Sequence, residues 1–265
     1  YDMEDLKVAY FQRDLAWEDK QQNFADIEAE LSKVSESLDL LVLAEAFATG
    51  FTDNIVEVSE TANGDTFNWM TRIARQYNVA VVGSCFVEDG GHYYNRLYWI
   101  KSSGEWGYYD KRHLFRIGAE CEVMTGGECK TVFELKGWRI SPYVCYDLRF
   151  PIWMRNTYVN GLFDYDLAVV VASWPAKRIY VWRQLLVARA IENMAYVVGV
   201  NRIGRDANDV AYLGSSMVVS YKGDVLDEVP EGETRLSVVK LSYDKMAAFR
   251  ERMPFYLDWD KFEIK

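Results

Sequence analysis

The sequence predicts an α/β fold in which two sheets stack on each other with helices outside. Three observations carry this reading. Short apolar strands alternate with helical patterns near both ends of the chain, and consecutive strands joined by Gly or Ser turns fill the middle. No repeat, low-complexity tract or Pro/Ser-rich linker divides the 265 residues, which include only 5 Pro. A single domain over residues 1–265 is expected, and a chain of this length buries roughly three quarters of its unfolded surface.

The elements follow in order. Lys7-Val8-Ala9-Tyr10-Phe11 reads as a strand, and Phe24, Ile27, Leu31, Val34 and Leu38 then form the apolar stripe of an amphipathic helix. Leu38 to Leu43 is a nearly continuous apolar run broken by Asp39, as in a strand buried on both faces. A helix from Asp65 to Tyr77, with Phe67, Met70, Ala74 and Tyr77 inward, leads to a strand from Val79 to Gly83. Strands follow at Tyr93 to Ile100, Gly107 to Asp110, Thr131 to Leu135 and Trp138 to Val144. Leu135-Lys136-Gly137-Trp138 is a tight hairpin. Pro151 opens a helix to Val159, Asp166 to Ala172 is a buried strand, Ala176 to Asn193 a long helix, and Ala195 to Asn201 a further strand.

Composition narrows the chemistry. With 40 acidic and 30 basic side chains the net charge is −10, which argues against a nucleic-acid partner. Cys85, Cys121, Cys129 and Cys145 form no CxxC pair, and the two histidines, His92 and His113, stand far apart, so zinc has no support. No metal and no cofactor is expected. Four sparse thiols imply a reducing compartment, the start Tyr1-Asp2-Met3-Glu4-Asp5 has no basic-then-apolar signal pattern, and no run is long enough to span a membrane. A cytoplasmic protein with no membrane partner is the expectation.

Few residues can then carry chemistry. Glu45 ends the run Leu40-Leu41-Val42-Leu43-Ala44, where a carboxylate is either solvated or buried at cost beside a ligand site. Cys145 ends Ile140-Ser141-Pro142-Tyr143-Val144 and precedes Pro151 at a helix start. It is either a small buried hydrophobe or a nucleophile on a sharp strand-to-helix elbow, where nearby N–H groups favour the thiolate. Lys111, in Tyr108-Tyr109-Asp110-Lys111-Arg112-His113-Leu114-Phe115, is a solvated loop charge or a cation desolvated by aromatics. His113 could serve a Cys-His dyad, and His92 reads as an exposed turn residue. No GxSxG motif supports a serine hydrolase.

Taken together, Glu45 after its apolar strand, Tyr109 to Phe115, and Val144-Cys145-Tyr146-Asp147-Leu148-Arg149-Phe150-Pro151 resemble the nitrilase (carbon–nitrogen hydrolase) superfamily. The likeness continues through Ala172-Ser173-Trp174-Pro175, Ala188-Arg189-Ala190-Ile191-Glu192-Asn193 and Asn201-Arg202, nearly the whole chain. Within it the sequence is most similar to the omega-amidase branch, which acts on 2-oxoglutaramate and related ω-amides. The resemblance implies a four-layer α-β-β-α sandwich and a Glu-Lys-Cys site. In that site Glu45 is the general base, Cys145 the nucleophile forming a thioester, and Lys111 with the Tyr146 N–H the oxyanion stabiliser. Glu120 maps to a second carboxylate that orients Lys111. Arg149 is the candidate for the substrate carboxylate, and Trp174 for a pocket wall. Arg189 and Glu192, at i and i+3, read as a structural ion pair.

The implied partner is a small amide substrate, and the implied assembly a homodimer or larger homo-oligomer. The helix after Pro151 and the aromatic tail Phe255 to Phe262 are candidate interfaces. Two departures from the family pattern are Ala44, usually Pro, and Ser173, commonly Asn; the second bears on loop hydrogen bonding and substrate preference. Cys121 adds a thiol beside Glu120. The expected activity is hydrolysis of a short carboxylate-bearing amide to acid and ammonia. The alternatives are an N-carbamoyl amino-acid hydrolase on the same site, a true nitrilase, and a catalytically silent interaction module.

Overall fold

The computed structural model describes residues 3–264. Strand alternation sets the layers. In β1 (Leu6–Gln12), Leu6, Val8 and Tyr10 join one core while Ala9 and Phe11 join another. β2 (Leu40–Val42) repeats the pattern, with Leu40 and Val42 on one side and Leu41 on the other. Both faces are covered, hence the continuous apolar run. With β3 (Ala80–Asp89), β4 (His92–Ile100), β5 (Trp106–Asp110) and β12 (Arg235–Leu241) these strands form the first sheet, in the order β12-β1-β2-β3-β4-β5. The two-residue strand Glu60–Thr61 pairs beside β3.

The second sheet is built from β6 (Phe133–Leu135), β7 (Trp138–Val144), β8 (Leu167–Ala172), β9 (Tyr196–Asn201), β10 (Met217–Val219) and β11 (Val225–Glu228), in the order β11-β10-β9-β8-β7-β6. Each sheet has three parallel strands at its centre, β1-β2-β3 and β7-β8-β9, with antiparallel neighbours on either side. Helices α1 (Lys20–Leu31) and α2 (Asp65–Tyr77) cover the outside of the first sheet through Phe24, Ile27, Leu31, Trp69, Met70 and Ile73. Helices α3 (Ile179–Asn193) and α4 (Tyr243–Arg252) cover the second through Trp182, Leu186, Ala190 and Met246. Gly199 of β9 lets α3 lie close, since a Cβ there would meet Leu186 Cδ1 at 2.5 Å. The result is the expected α-β-β-α sandwich.

Several expectations are corrected. The first helix stops at Leu31 with Ser32 as its C-cap, so Val34 and Leu38 pack from the following loop. In α2 the inward residues include Trp69 and Ile73, while Phe67 and Tyr77 are only half-buried. The strand from Val79 extends to Asp89. The helix opened by Pro151 ends at Met154 and is followed by a short strand, Tyr158–Val159. There Asn156 bonds instead to Tyr165 and Asn193, and Arg155 Nη1 donates to the Glu192 carbonyl at 2.6 Å. The Ala176 to Asn193 segment divides into a 3-10 turn, Ala176–Arg178, and α3. The hairpin between β6 and β7 is as expected, with Lys136 and Gly137 at φ 51° and 83°. No helix among the described residues is long and apolar enough to cross a membrane.

Candidate active site

The carboxyl ends of the central strands of both sheets meet at one cleft of about 620 Å³, lined by Glu45, Lys111, Cys145, Tyr146, Arg149 and Trp174 among others. Glu45 follows β2, and Lys111 follows β5 on the same inward parity as Tyr109 of the core. Behind Lys111 the chain passes so close that Gly127 is required: its N–H donates to the Lys111 carbonyl at 3.0 Å, and a Cβ would lie 2.1 Å from the Asp110 oxygen. Cys145 follows β7 at φ 44°, a left-handed conformation that a non-glycine residue adopts at a cost. A five-residue 3-10 turn, Cys145–Arg149, succeeds it, which is the expected elbow.

Glu45, Lys111 and Glu120 are almost wholly buried and bonded to one another. Lys111 Nζ donates to Glu45 Oε1 at 3.0 Å and to both Glu120 oxygens at 2.9 Å. Glu45 Oε2 accepts the Ser173 backbone N–H at 2.8 Å, and Glu120 Oε2 accepts that of Phe115 at 2.6 Å. Asn95, which the sequence reading passed over, donates Nδ2 to Oε1 of both carboxylates at 2.8 and 3.1 Å. Its signal was its parity: it shares the inward face of β4 with Leu97 and Trp99.

Electrostatics sets the resting state. Burial pulls the Lys111 ammonium down, but Glu120 and Glu45 outweigh it and hold the pKa above the ordinary lysine range. Burial, then Glu45, raise Glu120, with Lys111 opposing the first. The thiol of Cys145 is pushed up by burial and by Glu45, against Lys111 and the Ser173 N–H. The neighbouring N–H and Lys111 thus favour the thiolate as expected, while burial and Glu45 work against it.

The other residues fall as follows. Arg149 packs over the Trp174 ring at 5.0 Å and forms no ion pair among the described residues, so it is not the partner of Asp147. Trp174 lines the cleft yet is deeply buried, its Nε1 donating to the Arg178 carbonyl at 2.8 Å. Tyr146 lies in the cleft, edge-on to Phe115 at 5.4 Å. Lys177 and Arg178, also missed by the sequence reading, add positive charge to the lining. His113 is turned to Asp147, with Nδ1 2.8 Å from Oδ1, and does not line the cleft, so no Cys-His dyad forms. Cys121 is exposed with its Sγ toward the Arg116 and Gly118 carbonyls, and is not part of the cleft lining. Arg189 and Glu192 pair at 3.0 Å as expected. At position 173 the contact to the Glu45 carboxylate comes from the main chain, so the Ser departure leaves that bond intact.

Comparison with known proteins agrees with this architecture. The chain is 38% identical to omega-amidase YafV of Escherichia coli (strain K12) over 262 residues, 99% of this chain and 100% of that one. It is 30% identical to the 2-oxoglutaramate amidase of Bacillus subtilis (strain 168), covering 95% and 97% of the two chains. The crystal structure of XC1258 from Xanthomonas campestris, a CN-hydrolase superfamily protein with an arsenic adduct in its active site, superposes with a TM-score of 0.96. The two are 38% identical, with 99% and 100% of the chains covered. The carbon-nitrogen hydrolase family model matches residues 7–251. With both sheets, the elbow and the cleft inside that match, the chain belongs to the carbon–nitrogen hydrolase family and is a hydrolase of carbon–nitrogen bonds.

Proposed function

We propose that the protein is a cysteine-dependent omega-amidase that converts a small carboxylate-bearing ω-amide such as 2-oxoglutaramate to the acid and ammonia. The observation that carries this reading is the convergence of Glu45, Lys111 and Cys145 on one cleft, in a chain similar to an omega-amidase along its whole length. Glu45 takes the thiol proton, and the sulfur lone pair attacks the amide carbon. The oxyanion is met by the Lys111 ammonium and the N–H of Tyr146. The proton on Glu45 passes to the nitrogen, the C–N bond breaks and ammonia leaves a thioester. Glu45 then deprotonates water, which attacks the thioester carbon, and the proton returns to the departing sulfur. Glu120 holds Lys111 charged and aimed. Arg149 receives the substrate carboxylate against the wall formed by Trp174, its charge adding to that of Lys177 and Arg178 in the lining.

The setting we propose is the cytoplasm, consistent with four free cysteines, and the assembly a homodimer or larger. Exposed Ile152, Phe255, Leu257 and Phe262 offer the apolar surface such an assembly would cover, and light scattering on the purified chain tests it. The activity is tested by ammonia release from 2-oxoglutaramate, succinamate, N-carbamoyl-β-alanine and a simple nitrile, with Cys145→Ser as control. The expected result is turnover of the first two, abolished in the control. Arg149→Gln is expected to raise KM for them about tenfold or more while sparing neutral amides. Turnover of N-carbamoyl-β-alanine alone would replace this reading with the carbamoyl hydrolase, and no turnover of any would sink it.

A further inference from the structure

Asn95 touches both buried carboxylates and nothing in the reaction scheme uses it. It is fully buried on the face of β4 that carries Leu97 and Trp99 into the core. Its Nδ2 spans Glu45 Oε1 and Glu120 Oε1, whereas its Oδ1 has no hydrogen-bond partner. The amide cannot sit the other way round, because its carbonyl oxygen would then face two carboxylate oxygens. A leucine of similar shape would fill this position without stranding a buried acceptor, so the worth of the side chain lies in its NH₂ group.

We propose that Asn95 is a positioning residue for the general base. Together with Lys111 it occupies Glu45 Oε1, leaving Oε2 as the oxygen that takes the Cys145 proton, and it ties the two carboxylates to one donor beside the single ammonium. The inference rests on the reading of Glu45 as base. In the step itself the S–H bond breaks, its electron pair stays on sulfur, and an O–H bond forms at Oε2. In the resting site that oxygen accepts only the Ser173 N–H. The charged and titratable groups acting on this pair of carboxylates are Lys111 at the end of β5, Cys145 on the elbow, the two carboxylates on each other, and Tyr212 farther out. Two anions sharing one cation stay ionised only while other donors bind them, and burial already raises Glu120.

The test uses Asn95→Leu, which keeps the bulk, and Asn95→Asp, which keeps the shape. Two readouts are followed against pH: kcat and KM for ammonia release, and the rate of Cys145 alkylation by iodoacetamide, which needs no substrate. Without the donor, the acid limbs of kcat/KM and of alkylation are expected to move to higher pH by about one unit. kcat should fall by roughly tenfold or more, with KM within about threefold. Folded variants whose acid limbs coincide with those of the wild type would overturn the proposal. So would failure of both variants to fold, which would make Asn95 a structural residue only. If the wild type releases ammonia from no amide while the alkylation limb still shifts, the substrate reading fails and the role of Asn95 stands.

Discussion

Two buried carboxylate clusters flank the segment that carries Lys111 and could hardly differ more. Asp147, fully buried, accepts the Val144 and His113 N–H groups at 3.1 and 3.0 Å and the Tyr109 hydroxyl at 2.7 Å, and its Oδ1 lies 2.8 Å from His113 Nδ1. Its oxygens are thus fully engaged, and it lines no cleft. Glu45 and Glu120 instead divide one ammonium and one amide between them, and Glu45 borders the cleft beside a thiol. The first cluster pins the lysine-bearing segment to the elbow. The second keeps unspent charge aimed at a cavity. Burial of a carboxylate does not by itself mark chemistry; the balance of its partners and the presence of open space do.

The contrast can be broken at three places. The largest effect is expected from Lys111→Gln. Loss of an oxyanion donor alone lowers kcat by about 10²–10³, and two buried carboxylates left without their cation cost about 3–5 kcal/mol of stability. Because Lys111 opposes the upward push on Cys145, its removal raises the thiol pKa further, so the midpoint of Cys145 alkylation moves to higher pH. A midpoint that falls would refute the arrangement of charges described here.

Asp147→Asn addresses the other cluster. It weakens bonds that tie His113 and Tyr109 to the elbow, and a loss of about 2–4 kcal/mol in denaturant unfolding is expected. Per folded molecule, kcat should stay within about tenfold, an order or more above Lys111→Gln. Equal loss of kcat in the two variants would erase the distinction between the clusters. The smallest effect is expected from Cys121→Ser, whose thiol is exposed and outside the cleft: kcat/KM within about twofold, with one rapidly alkylated thiol removed. A larger loss would draw that thiol into the site.

Much of this was legible before any coordinates. The Trp138–Val144 strand and the Asp65–Tyr77 helix have the bounds that their patterns predict, because each pattern ends at a residue that ends the element: Cys145 at positive φ, and Asn78 in a left-handed C-cap. The Pro151 helix was overextended because the competing bonds of Asn156 come from Tyr165 and Asn193, distant in sequence. Glu45 and Cys145 stood out since each follows an apolar strand, and Lys111 because aromatic residues surround it. Asn95 did not, since it sits within a strand among ordinary neighbours, and only its shared face with Leu97 and Trp99 betrays it. Arg178 was hidden by the division of its segment into a 3-10 turn and α3, which turns it toward the cleft.

The grip of Ser173 on Glu45 has a consequence for how this enzyme can change over time. The donor is a peptide N–H, so nineteen of the twenty amino acids supply it equally, and only proline would take it away. This bond to the Glu45 carboxylate is therefore insulated from drift at position 173. An exchange there that fits the space would give up the Ser173 hydroxyl's 3.5 Å bond to the Glu45 carbonyl but keep the main-chain hold on its carboxylate.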